Sequence, residues 1–190
     1  SWKFISELVD HARELCVAEV HDESLRERIL VAAWFCFSGY AQGHPAIAEK
    51  SVVLAREFLR GRGVEFEAVE EIAALVESVH RPGAPANLQQ EVLRDASMAF
   101  TARRKFNKRA KLLRAELEAF GNGRFNDQEW KHYLVGLLTS SRFHTAYAAA
   151  EWVERQLENL RTVSSELKDA SSGKAAERGE RNLEKAVDTL

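Results

Sequence analysis

Disulfide chemistry is all but closed to this chain, because its 190 residues include two cysteines, Cys16 and Cys36, each set in an apolar helical pattern. Such a pair gives no covalent framework and reads as packing, the usual role of a free thiol among apolar side chains. No run of about 18 apolar residues occurs, which argues against a membrane-spanning helix or a signal peptide and makes a cytoplasmic domain the expectation. A net charge of −2, with 29% charged residues, exerts no general pull on nucleic acid or on an anionic membrane, so nucleic acid is not an expected partner. Alternating apolar and polar stretches are missing as well, and a sheet is not expected.

What remains is helical almost throughout. At 45% hydrophobic the chain can bury a core. The pattern predicts an all-α fold, a bundle of about six to eight helices over residues 1–168 followed by a polar linker and the start of another helix over 169–190. Asp22 and Ser24, with Glu27 three residues after the serine, predict a cap ahead of LRERILVAAWF. Pro45 fits the first turn of the next helix, which should stop near Gly61 and Gly63. Val69, Ile72, Val76 and Val79 form one buried stripe at helical spacing, and Asn126 and Asp127 before Glu129 signal a later start. Beyond Lys168 the residues turn small, polar and charged, and Leu183, Ala186, Val187 and Leu190 then make a short apolar seam.

One segment carries more than the rest. VAAWFCFSGY, from Val31 to Tyr40, resembles the AAWFHDTGY segment of the HD-domain metal-dependent phosphohydrolases, in which an adjacent His-Asp pair holds a divalent ion. Here the pair is Cys36 and Phe37. KSVVLAREFL, from Lys50 to Leu59, resembles the helix that follows, and the family's His-Glu dipeptide before it falls on Ile47 and Ala48. RPGAPANLQQEVLRDAS, from Arg81 to Ser97, is similar to the proline-bracketed loop and the helix ending in Asp-Ala-Asp; Asp95 is kept and the ligand position is Ser97. Near the amino terminus, KFISELV places Phe4 where the family has its histidine. Phe106, Arg109, Leu112, Leu113, Arg114 and Glu116, then Trp130, Arg142, Thr145, Tyr147, Trp152, Arg155 and Asn159, keep the spacing of one bacterial branch.

The resemblance implies an HD-like helical bundle whose metal site has been dismantled. Phe4, Cys36, Phe37, Ile47 and Ser97 offer one thiol and one hydroxyl in place of imidazoles and carboxylates. Mg²⁺ or Mn²⁺ takes about six hard donors, so no metal and no other cofactor is expected, and nothing would activate a water or polarise a phosphoryl group. Phe37 is expected to be buried filler. In bacterial relatives such a domain can be followed by an RG-containing linker, a Thr-Leu segment and a pair of membrane helices, an arrangement similar to the membrane-acting effectors of cyclic-nucleotide (Pycsar-type) anti-phage systems, with an ordinary frayed terminus as the plain alternative. Arg178, Gly179, Thr189 and Leu190 fit that pattern, and a membrane would then be reached only through sequence beyond Leu190.

Other residues bear sharper readings beside plain ones. Cys36, His44 and His80, with Asp95, are the set from which a non-standard metal site would be built, and Cys36 with His80 is a nucleophile–base pair; solvated histidines and a packed thiol are the plain alternative. Arg103, Arg104, Lys105, Lys108, Arg109, Lys111 and Arg114 spread over about two thirds of a helix circumference, which is no duplex-binding stripe. Arg109 and Arg114 lie on the family pattern RxxLLRxE, where one pairs with Glu116 and the other faces the pocket. A guanidinium there suits a phosphate without a metal, with a structural ion pair as the alternative for Arg109. Arg142, Tyr147 and His80 complete the candidate ligand-binding set, with Tyr147, Phe4 and Phe37 as stacking surfaces or as core.

Three functions follow as expectations. The first is a catalytically inactive sensor that binds a cyclic or linear nucleotide, or a protein, and signals through its carboxy-terminal helix. The second is a phosphohydrolase with a non-standard metal set, and the third a homo-oligomerising scaffold.

Overall fold

The computed structural model describes residues 2–43, 45–120 and 123–187, with the backbone alone described over 171–187. The described residues form nine α-helices and two 3₁₀ turns joined by loops, and no strand occurs among them. The all-α expectation holds, and these helices fit a bundle of about the expected size with a carboxy-terminal helical extension. In the carboxy-terminal third the chain breaks at Trp152 into the short helix α8 (Ala146–Glu151) and the 35-residue α9 (Val153–Val187). The expected boundary at 168 falls inside α9, whose backbone runs on through the polar stretch.

The chain forms two compact units, Ser1–Arg103 with Arg142–Val153, and Arg104–Ser141 with Glu154–Leu190. The first holds α1 (Trp2–Glu19), α2 (Glu23–Phe35), α3 (Ile47–Gly61), α4 (Phe66–Ser78), α5 (Leu88–Met98) and α8. In α1, Leu8, Ala12, Leu15 and Cys16 recur at helical spacing and are buried against α2 and α5. Small residues at the contacts, Ala12, Ala32, Ala33, Ala55 and Ala96, are all sealed from solvent and let these helices approach closely. Val69, Ile72 and Val76 of the expected stripe are buried, and Val79 is half-buried at its end. The second unit holds α6 (Phe106–Ala119), α7 (Asp127–Ser140) and most of α9, with Phe106, Ala110, Trp130, Leu134, Leu138 and Val163 buried.

Local signals were partly as expected. Asn126 accepts from the Gln128 and Glu129 N–H groups while Glu129 reaches back to the Asn126 N–H, a complete capping box at the start of α7. The cap of α2 is Asp22, whose carboxylate accepts from the Leu25 N–H; Ser24 is already helical. Pro45 lies ahead of α3, whose cap is Ala46 at φ +68°, so the proline belongs to the loop and not to the first turn.

That loop is held close to α3. A Cβ on Gly39 would lie 2.4 Å from the Ile47 carbonyl oxygen, and the Gly39 N–H donates to the buried Ser51 hydroxyl at 2.9 Å. Only glycine lets the 3₁₀ turn Ser38–Gln42 approach so nearly. The Lys50 ammonium donates to the Gln42 and Gly43 carbonyls and completes the tether.

Candidate functional site

The positions at which the resemblance implies metal ligands lie in the first unit, and their side chains are turned to packing. Cys36 follows directly on α2 and is fully buried. Burial pushes its thiol up to about 12, so it is neither thiolate nucleophile nor ready ligand near neutral pH. Phe37 lies edge-on to Phe4 with ring centroids 5.2 Å apart, edge-on to His80 at 5.1 Å, and stacked on Tyr40 at 6.4 Å. It is half-buried, not buried as expected, because Tyr40 covering it is itself exposed. Ile47 is a half-buried residue opening α3, and the Ser97 hydroxyl donates to the Arg94 carbonyl of its own helix at 2.7 Å.

His80 belongs to this aromatic cluster. Its Nε2 lies 2.6 Å from the Cys36 carbonyl oxygen, and since a carbonyl only accepts, Nε2 carries the proton and donates. The ring therefore addresses the Cys36 backbone. Asp95, the one retained acidic residue of the pattern, is fully buried and spent elsewhere. Its carboxylate accepts from the His144 N–H, from the Thr145 N–H at 2.8 Å and from the Thr145 hydroxyl at 2.8 Å. Burial raises its pKa and those donors oppose the rise. Thr145 in turn caps α8, accepting from the Ala148 N–H.

A non-standard metal set of Cys36, His44, His80 and Asp95 is thus left with a protonated thiol, a donating imidazole and a saturated carboxylate; His44 lies outside the described residues. Among the described residues no three His, Cys, Asp or Glu side chains come together as a metal site.

The candidate phosphate-binding arginines are in the other unit and are engaged. Arg109, 12% exposed, pairs with Glu116 at 3.6 Å, so the structural alternative is the one its geometry supports. Arg114 pairs with Glu118 and Asp127, donates to the Phe125 carbonyl and lies 6.0 Å from the Trp130 ring. It fastens the segment between α6 and α7, a role that spacing did not reveal. Arg104, Lys105, Lys108 and Lys111 are exposed. Arg142 is exposed in the first unit, ahead of α8. Tyr147 packs edge-on to Trp152, its hydroxyl donates to Glu14 and its N–H to Glu19, so it is tied into the core and not held ready for a guest ring.

Sequence reasoning missed two arginines. Arg94 donates to the Ser78, Arg81 and Gly83 carbonyls and pins the loop between α4 and α5. Arg103, counted within a basic run, instead leaves that run and docks on Trp152, 4.6 Å from its ring, with Glu14 at 3.1 Å and the His11 Nδ1 at 2.9 Å. No local pattern could have found either, since the partners of Arg94 lie 11 to 16 residues away and those of Arg103 lie 49, 89 and 92 away.

No protein-family profile matches the chain, and no curated protein matches it. Its fold is similar to that of YpgQ of Bacillus subtilis, known from a crystal structure, with a TM-score of 0.61 at 20% identity over 87% of this chain and 88% of that one. At that identity the likeness shows the fold alone. No helix among the described residues is long and apolar enough to cross a membrane.

Proposed function

We propose that this chain is a degenerate HD-type phosphohydrolase domain that acts by binding and not by turnover, a metal-free regulatory module signalling through α9. The observation that carries the reading is the aromatic packing of Phe4, Phe37, Tyr40 and His80 over the buried Cys36, at the positions where a His-Asp pair and an amino-terminal histidine would hold an ion. Rings in mutual contact leave no hard donor to replace the water shell of Mg²⁺ or Mn²⁺. Asp95 supports it from the other side, because a carboxylate accepting from two N–H groups and a hydroxyl is a structural anchor.

The ligand class to which the resemblance points is a nucleoside monophosphate, cyclic or linear, and the setting a bacterial anti-phage effector whose membrane element lies in further sequence. A thermal-shift and calorimetric screen of such nucleotides, with and without chelator, tests this. A binder should raise stability by about 2.7 kcal/mol at a hundredfold excess over its dissociation constant. The rise should survive EDTA, and Arg109→Gln should show an equal rise, because Glu116 already holds that guanidinium. No response to any nucleotide would remove the sensor reading and leave an oligomerising scaffold. A response lost on adding EDTA would restore the metal-dependent enzyme.

A further inference from the structure

The chain leaves the first unit at Arg103 and again at Val153, and one polar cluster lies beside both exits. We propose that His11 and Arg103 form an acid-released latch that holds these two exits to α1. The Nδ1 of His11 accepts from the Arg103 guanidinium at 2.9 Å, so the ring is neutral with its proton on Nε2. The same Arg103 nitrogen donates to Glu14 at 3.1 Å, and the guanidinium lies over the Trp152 ring, one residue before Val153. His11 meets that ring edge-on, with centroids 5.9 Å apart. On α8, the Tyr147 hydroxyl donates to Glu14 and its N–H to Glu19, which ties the helix before the second exit to α1 as well.

Protonating His11 breaks this arrangement in two ways. It removes the acceptor that Arg103 uses and sets a second cation beside the first. The charges acting on His11 are Arg103 from the segment after the 3₁₀ turn Ala99–Ala102, and Glu14 and Asp10 from its own helix. On α8, Tyr147 meets the cluster through Glu14, and the charges of Glu14, Glu151 and Arg103 all act on its phenol. The two carboxylates of α1 favour the imidazolium, but burial and Arg103 outweigh them and hold the ring down to about 4 against an ordinary 6.5. Because the latched value lies below the free one, the latch is at full strength above pH 6.5 and is lost as pH falls toward 4. Linkage makes the ratio of latched to released molecules fall roughly twentyfold between pH 7 and pH 5.

Amide hydrogen exchange on the whole chain, corrected for the chemical rate at each pH, tests this. Protection over residues 99–103 and 146–153 should drop by roughly twentyfold from pH 7 to pH 5, and protection in α3 and α4 should not follow. His11→Gln keeps an acceptor for Arg103 and cannot titrate, so its protection should stay flat across the same range. An unchanged parent, or a variant that responds as the parent does, overturns the latch. Should the variant fail to fold, the ring titration of the parent decides by NMR: a value near 4 with the proton on Nε2 supports the latch, and titration at 6.5 or above overturns it.

Discussion

Asp95→Ala should cost the fold about 4 kcal/mol, measured by urea unfolding against the parent, since each buried donor left without a partner costs roughly 1–3 kcal/mol. The carboxylate is sealed from solvent and accepts from the His144 N–H, the Thr145 N–H and the Thr145 hydroxyl. Alanine would strand all three and loosen the cap of α8, because Thr145 also accepts from the Ala148 N–H. Asp95→Asn should cost less, about 2 kcal/mol, by keeping one acceptor oxygen while turning an amide donor toward other donors. A loss under about 1 kcal/mol for alanine would mean that water reaches these groups. Asp95 would then be free for other work.

Phe37→Asp should destabilise by about 3 kcal/mol and confer no metal binding. The substitution supplies the acidic residue that the resembled family has at this position, yet it removes a ring in contact with Phe4, Tyr40 and His80 and sets a lone carboxylate among them. Phe37→Leu keeps most of the apolar contact and should cost about 1 kcal/mol. Differential scanning calorimetry of the two variants separates the causes. An aspartate variant that melts with the parent would show that Phe37 contributes no packing and that the aromatic cluster is not what fills this place.

Those two residues also mark how far the sequence could be read. The all-α class was legible because apolar residues recur at helical spacing in α1 and α4 and nowhere alternate, and Asn126 with Glu129 announced its own capping box within four residues. The short helix α8 was not, since it is divided from α9 at Trp152, a break that no glycine or proline announces. The absence of the resembled family's metal-ligand residue types could be read position by position. What fills the space could not, because Phe4, Phe37 and His80 meet across 76 positions of chain, and Asp95 finds its donors 49 and 50 residues on. Arginines were the least legible group: a guanidinium reaches far, so Arg103, Arg109 and Arg114, close neighbours in sequence, serve three separate sets of partners. Their spacing says only that they are cationic.

Metal-dependent turnover on the intact chain tests the central claim most directly. Protein dialysed against buffer, then assayed with millimolar Mn²⁺ or Mg²⁺ and a panel of nucleoside mono- and triphosphates, should release no phosphate or nucleoside above the protein-free rate. Elemental analysis of the same sample should find far less than one divalent ion per chain, because the positions that would hold it present Phe4, Cys36, Phe37, Ile47 and Ser97. About one Mn, Fe or Zn per chain together with chelator-sensitive hydrolysis would contradict the account and return the protein to the enzymes.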